Sequence, residues 1–187
     1  MELYLIAGLG NPESEYGKTR HNMGFNTINK LAESYNIQVN KNKFKGLYGF
    51  GEIENKKVML LKPQTYMNLS GQSIKEVIEF YKINLENLIV IYDDMDVEPG
   101  KIKVRKFGGP GSHNGMKSVV AELKSESFKR VRVGIGKPVD KSTMIEYVIG
   151  AISEEDVLKL DQGTTLAKEA VVEILKNGID IAMNKFN

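Results

Sequence analysis

Apolar residues recur along this chain with two different periods. Continuous or alternating runs at residues 2–8 (ELYLIAG), 46–53 (GLYGFGEI), 57–62 (KVMLLK), 87–93 (NLIVIYD), 100–106 (GKIKVRK) and 129–135 (KRVRVGI) predict strands. Between them the spacing lengthens to three and four. Phe25, Ile28, Leu31 and Tyr35 share one helical face, as do Ile74, Val77, Ile78 and Tyr81, and then Met116, Val119, Val120 and Leu123. From Ser153 onward the chain reads as helix, with Ser153 and Asp156 as a capping pair and Gly163 and Gly178 as interruptions. Strands alternating with helices predict an α/β fold: a single domain over residues 1–187, with a twisted mixed β-sheet flanked by α-helices. The glycine cluster FGGPGSHNG at residues 107–115 is the one long irregular loop, and loops held by a rigid scaffold often carry function.

Composition narrows the chemistry. At 187 residues and 41% hydrophobic, the chain can bury one substantial core. It has no cysteine, which excludes disulfides, thiolate nucleophiles and thiolate zinc sites, and only two histidines, His21 and His113. The N-terminal apolar stretch is short and lacks the basic region of a signal peptide, and no run approaches the roughly 20 apolar residues of a membrane helix. A cytoplasmic protein without a membrane segment is the expectation. A net charge of +2 does not by itself announce a nucleic-acid partner, so such a role must rest on local clustering.

Four polar motifs fall at strand ends or in loops: GLGNP (8–12) with TRH (19–21), TYMN (65–68), YDDMD (92–96) and GSHNG (111–115). GLGNP begins like a dinucleotide-binding turn, but Glu13 takes the third glycine slot, where it would repel a phosphate. Ser112 lacks the flanking glycines of a nucleophile elbow, Met116 stands where a P-loop needs lysine, and YDDMD leads to Pro99 where a calcium loop needs glycine. Histidine chemistry remains. Imidazole titrates near neutrality, so His21 can take a proton from water if a partner fixes its tautomer, and Asp93, at the end of an apolar strand, is the candidate partner. His21 also reads as a loop residue capping the helix that begins near Asn22, and Asp93 as a solvated turn residue. Asn11, Asn68 and Asn114 could grip an amide or stabilise an oxyanion, and could equally be turn residues. In GKIKVRK, Lys101, Lys103 and Arg105 alternate with Ile102 and Val104, and Arg130 and Arg132 repeat the pattern. Side by side, the two strands would form a phosphate-binding stripe, or else a charged edge that discourages aggregation.

Together these motifs resemble the bacterial-type peptidyl-tRNA hydrolase family. The likeness is carried by GLGNP followed by Y-x-x-T-R-H-N-x-G (residues 16–24), KPQTYMNLSG (62–71), DDMD with PG (93–100), GGPGSHNGMKS (108–118) and RVRVGIGKP (130–138), in family order. The resemblance implies hydrolysis of the ester joining a peptide to the 3′ ribose of tRNA, without cofactor or metal, by a monomer. It further implies that His21 is the general base, that Asp93 orients it, and that Asn11 helps to distinguish a blocked amino acid from a free amine. Tyr16, Tyr66, Asn68 and Asn114 match positions that contact the substrate end. Arg105 and Arg132 match a pair that clamps the tRNA 5′ phosphate, the former being a position where family members can carry lysine. His113 matches a supporting residue. The glycines of GLGNP are expected to turn the chain sharply off the strand and aim Asn11 into the cleft. A catalytically inactive RNA-binding module of the same fold is the alternative.

Overall fold

The computed structural model describes residues 2–12, 19–138, 144–150 and 152–187. Among these residues seven strands form one sheet: β1 (Leu3–Gly8), β2 (Lys41–Lys43), β3 (Gly46–Ile53), β4 (Lys56–Pro63), β5 (Leu88–Asp94), β6 (Ile102–Arg105) and β7 (Lys129–Gly134), in the order β2-β3-β4-β1-β5-β7-β6. The centre is parallel, β1 pairing with β4 and β5, and β5 with β7; hairpin-like antiparallel pairs close both sides. The runs that read as near-continuously apolar are these central strands, which are covered on both faces.

Among the described residues six helices accompany the sheet: α1 (Met23–Tyr35), α2 (Ser70–Tyr81), α3 (Asn114–Leu123), α4 (Met144–Ile149), α5 (Glu154–Asn177) and α6 (Ile179–Phe186). Ile6, Leu60, Ile89, Ile91, Val131 and Val133 face one core with Ile28 and Leu31 of α1 and Ala167 and Val171 of α5. Leu5, Ala7, Met59, Leu61 and Val90 face the other, against Ile74 and Val77 of α2 and Met116 and Val119 of α3. The sheet is therefore the middle of three layers.

Several expectations need correction. The exposed Lys41–Lys43 strand has no apolar period and is defined only by its pairing with β3. The short helix α4 was not anticipated either. Gly163 interrupts nothing: α5 runs through it, beside Val133 and Gly100. Gly178, at φ +93°, does separate α5 from α6. Ser153 caps α5 by accepting from the Asp156 N–H at 3.3 Å, but the Asp156 carboxylate turns elsewhere. At the outer side of β6, the Asn187 side chain accepts from Val104 N–H at 2.7 Å and donates to Val104 C=O at 2.9 Å, as a neighbouring strand would.

Gly8 and Gly10 are not at positive φ, so they serve space rather than turning. A Cβ on Gly8 would lie 2.2 Å from the carbonyl oxygen of Gly24, and one on Gly24 would lie 2.3 Å from Leu9 N and 2.5 Å from Ile91 O. The end of β1 and the start of α1 thus touch backbone to backbone, which fixes the turn ahead of α1 over the end of β5. Because the obstacles are main-chain atoms, Gly24→Ala is expected to destabilise the fold by more than about 2 kcal/mol. A lowered urea midpoint at unchanged m value checks this; an unaltered midpoint would contradict it.

Candidate active site

The parallel strands β1, β4, β5 and β7 end on the same side of the sheet, and the chain leaves β1 toward the β2–β4 side but leaves β5 toward the β6–β7 side, which makes a crevice between β1 and β5. Leu9 N–H donates to Ile91 C=O at 3.0 Å across that crevice, so the segment after β1 stays beside Asp93. Residues Arg20–Asn22 form one tight turn leading into α1.

His21 and Asp93, 72 residues apart, meet there. His21 Nδ1 lies 2.8 Å from Asp93 Oδ2, and the carboxylate is 3% exposed. The other oxygen is taken as well: His113 Nε2 lies 2.8 Å from Asp93 Oδ1. Hydrogen bonding assigns the tautomers. Met116 N–H donates to His113 Nδ1 at 3.1 Å, capping α3, so the neutral His113 ring carries its proton on Nε2 and gives it to Asp93. A carboxylate can only accept, so neutral His21 donates from Nδ1 and keeps its lone pair on Nε2. Both expected bland readings fail: His21 is not a helix cap, and Asp93 is not a solvated turn residue. By residue type, His21, Asp93 and His113 could hold a cation, yet the two rings turn hydrogens rather than lone pairs toward the carboxylate.

Burial alone would push the Asp93 carboxyl up, but the two histidines outweigh it and hold the group well below the usual carboxylate range. Burial likewise pulls His21 down, while the charge and hydrogen bond of Asp93 prevail and raise it above 6.5.

Asn11, the turn that follows Tyr66 and the start of α3 are in contact with one another. Asn11 is gripped through its backbone: its N–H donates to Asn22 Oδ1 at 2.7 Å, and its C=O accepts from Asn22 Nδ2 at 3.1 Å. Its side-chain oxygen accepts from Met67 N–H at 2.8 Å, which leaves the amide NH₂ as the end that can meet a ligand. The turn Met67–Leu69 holds exposed Asn68 and packs against α3, where a Cβ on Gly115 would strike Met67 Sδ. Asn114 opens α3 and is exposed. Tyr66 stands at φ +63°, ψ 159°, a region that a non-glycine residue occupies at a cost of about 1–3 kcal/mol, with its ring 45% exposed. Tyr16 lies outside the described residues.

A cleft of about 400 Å³ runs from His21, Asp93, His113 and Asn114 past the 107–112 loop to Arg105 and Arg132. Cross-strand pairing sets Lys103 opposite Arg132 and Arg105 opposite Arg130, on the sheet face opposite the Val131 and Val133 core. Two strands of cations do lie side by side, as the alternation predicted, but not as a uniform stripe. Arg130 is 1% exposed and donates to the carbonyls of Glu126 and Gly109, so it anchors the glycine loop. Arg132 Nε donates to Asp94 at 2.6 Å, and the residue lines the cleft. Asp94, Asn22 and Arg20 escaped the sequence reading, since only tertiary contacts give them partners.

A family model described as peptidyl-tRNA hydrolase matches residues 5–187. The chain belongs to the peptidyl-tRNA hydrolase family. It is 51% identical to the peptidyl-tRNA hydrolase of Caldanaerobacter subterraneus, covering 99% of this chain and 100% of that one, and 49% identical to that of Clostridium beijerinckii, covering 99% and 96%. The crystal structure of the Acinetobacter baumannii peptidyl-tRNA hydrolase superposes with a TM-score of 0.93 at 40% identity, covering 99% of this chain and 94% of that one. Schistosoma mansoni purine nucleoside phosphorylase, at 12% identity and a TM-score of 0.55, shares the fold alone. For this peptidyl-tRNA hydrolase family member, no helix among the described residues is long and apolar enough to cross a membrane.

The raised His21 titration stabilises the fold fully below 6.5, and that contribution is lost as pH rises through the folded value. Asp93→Asn removes the charge and leaves one acceptor for two N–H donors, so burial should then take His21 below 6.5. Titration of the His21 ring protons by NMR checks the direction; a value still above 6.5 in the variant would refute the assignment.

Proposed function

We propose that this chain hydrolyses the ester between a peptide and the 3′ ribose of tRNA, as its family membership implies, with His21 as the general base. The hydrogen bond from His21 Nδ1 to Asp93 carries this reading, because it leaves the Nε2 lone pair free to act in the cleft. Nε2 takes a proton from water, whose oxygen attacks the ester carbonyl carbon. The negative charge that develops on the carbonyl oxygen is met by amide donors, for which Asn114 and Asn68 stand on the adjoining turns. Collapse breaks the bond to the ribose oxygen, which leaves with the proton from the His21 imidazolium. The products are a free peptide acid and a tRNA with its 3′ hydroxyl restored. Such a base contributes typically about 10²- to 10⁴-fold, which suits an already labile ester.

Asn11, with its side-chain oxygen engaged by Met67, would offer its NH₂ to the carbonyl of a blocked amino acid, a group that a free aminoacyl ester lacks. Tyr16 and Tyr66 would contact the same end of the substrate. Arg105 and Arg132 would hold the 5′ phosphate at the far end of the cleft. The chain would act as a monomer, on a cytoplasmic substrate. The alternative of an inactive RNA-binding module has no support, since relatives named as hydrolases match over the whole chain and the His21–Asp93 pair is intact.

Incubation with N-acetyl-aminoacyl-tRNA and with free aminoacyl-tRNA tests the activity; rapid release from the blocked substrate alone is expected. His21→Ala should lower turnover at least about 100-fold with tRNA affinity nearly kept, and a rate within threefold of the parent protein, roughly, would sink the base assignment. Arg105→Ala and Arg132→Ala should raise KM for full tRNA with little change in kcat, and lower the slope of log affinity against log salt by about 0.7 to 0.9 per contact. A short 3′ fragment carrying the same blocked ester should be spared. Equal loss on both substrates would place the arginines in the chemistry instead.

A further inference from the structure

Arg20 directly precedes the proposed base in the same tight turn, and it is only 6% exposed despite its charge. Nothing in the reaction as drawn uses it. Its guanidinium reaches away from the cleft to two separate elements. Nη2 donates to Asp156 Oδ2 at 2.9 Å, in the first turn of α5. Nη1 donates to the Tyr147 carbonyl of α4 at 3.1 Å, and the guanidinium carbon stands 4.0 Å above the Tyr147 ring. That ring is fixed in turn, its hydroxyl donating to Ile135 C=O at 2.6 Å, just beyond β7.

The elements so joined matter to the cleft. The six-residue α4 supplies Ile145 and Val148 to its wall; Val148 packs against the core, but Ile145 is 74% exposed. Asp156 would ordinarily spend its carboxylate on the start of its own helix; here Ser153 serves the cap through the Asp156 N–H and the carboxylate goes to Arg20. A planar fork with donors in two directions is required, which lysine cannot supply.

We infer that Arg20 is a positioning residue that holds His21 against Asp93 and, with the same side chain, fixes α4 as the wall of the cleft. The inference rests on the reading of His21 as base, so its test uses a measurement that does not need turnover. Among the described residues, the titratable groups that contact the His21 ring are Asp93 from β5 and His113 ahead of α3, and neither is altered in the variants.

The experiment follows the His21 ring by NMR titration in the full-length Arg20→Ala, Arg20→Lys and Asp156→Asn proteins, alongside kcat and KM on blocked aminoacyl-tRNA. Removing a nearby positive charge would by itself move the imidazole titration up; slackening its contact with Asp93 moves it down. We expect a downward move in Arg20→Ala with kcat lowered roughly 10- to 100-fold, the scale of a misplaced reacting group, and a smaller change of the same sign in Arg20→Lys and Asp156→Asn. Should Arg20→Ala fail to fold, Arg20→Lys, which keeps the positive charge, decides by the same sign; Asp156→Asn removes a negative charge, which lowers the titration by itself, and serves only to show that the Arg20–Asp156 contact matters to kcat. An unchanged or upward titration overturns the inference even where activity falls. Survival of activity in His21→Ala would overturn the base assignment while leaving the titration to judge Arg20.

Discussion

A carboxylate taken out of water costs several kcal/mol unless donors meet its oxygens, and Asp93 is in that position at the end of the central strand β5. Its two partners come from opposite directions. His21 arrives from the segment after β1 and His113 from the loop before α3, so both connections must be held at hydrogen-bond distance for the charge to be tolerated. The same demand orients the rings. His113 is fixed at its far nitrogen by the start of α3, and His21 is left with a single open nitrogen. Structure and chemistry are in this sense one requirement: what keeps Asp93 stable is also what leaves an imidazole nitrogen open.

Bringing His21 that close depends on a steric allowance. Gly8 and Gly24 let β1 and α1 meet at their backbones, and Asn22 then grips Asn11 from both sides. The glycines of GLGNP look from sequence like turn or phosphate residues because composition does not report what lies opposite a missing Cβ. Here that space is filled by α1, which leaves no room for a pyrophosphate.

The central strands, the helical faces of α1 to α3 and the His21–Asp93 pairing were legible because each leaves a local trace: an apolar run, a 3.6 period, a polar residue at a strand end. The β6 and β7 alternation was legible for the same reason, and the register of Lys103 with Arg132 bears it out. What alternation could not reveal is neutralisation from elsewhere. Asp94 comes from a third strand and Glu126 and Gly109 supply carbonyls from loops, so two arginines with the same pattern end as a cleft residue and a buried anchor. Edge strand β2 and helix α4 were missed because pairing and tertiary contact, not local preference, define them.

Asn187 has a consequence for how the molecule meets its neighbours. The last strand of an open sheet carries a row of main-chain groups that any extended polypeptide could join. Lys103 and Arg105 keep such visitors away from the cleft face by charge, but charge does not fill the vacant valences of Val104. One side-chain amide, presenting an oxygen to its N–H and a nitrogen to its C=O, imitates a single residue of an eighth strand. This edge of the sheet thus carries a counterfeit peptide unit at Val104, where an incoming strand finds both main-chain groups already taken.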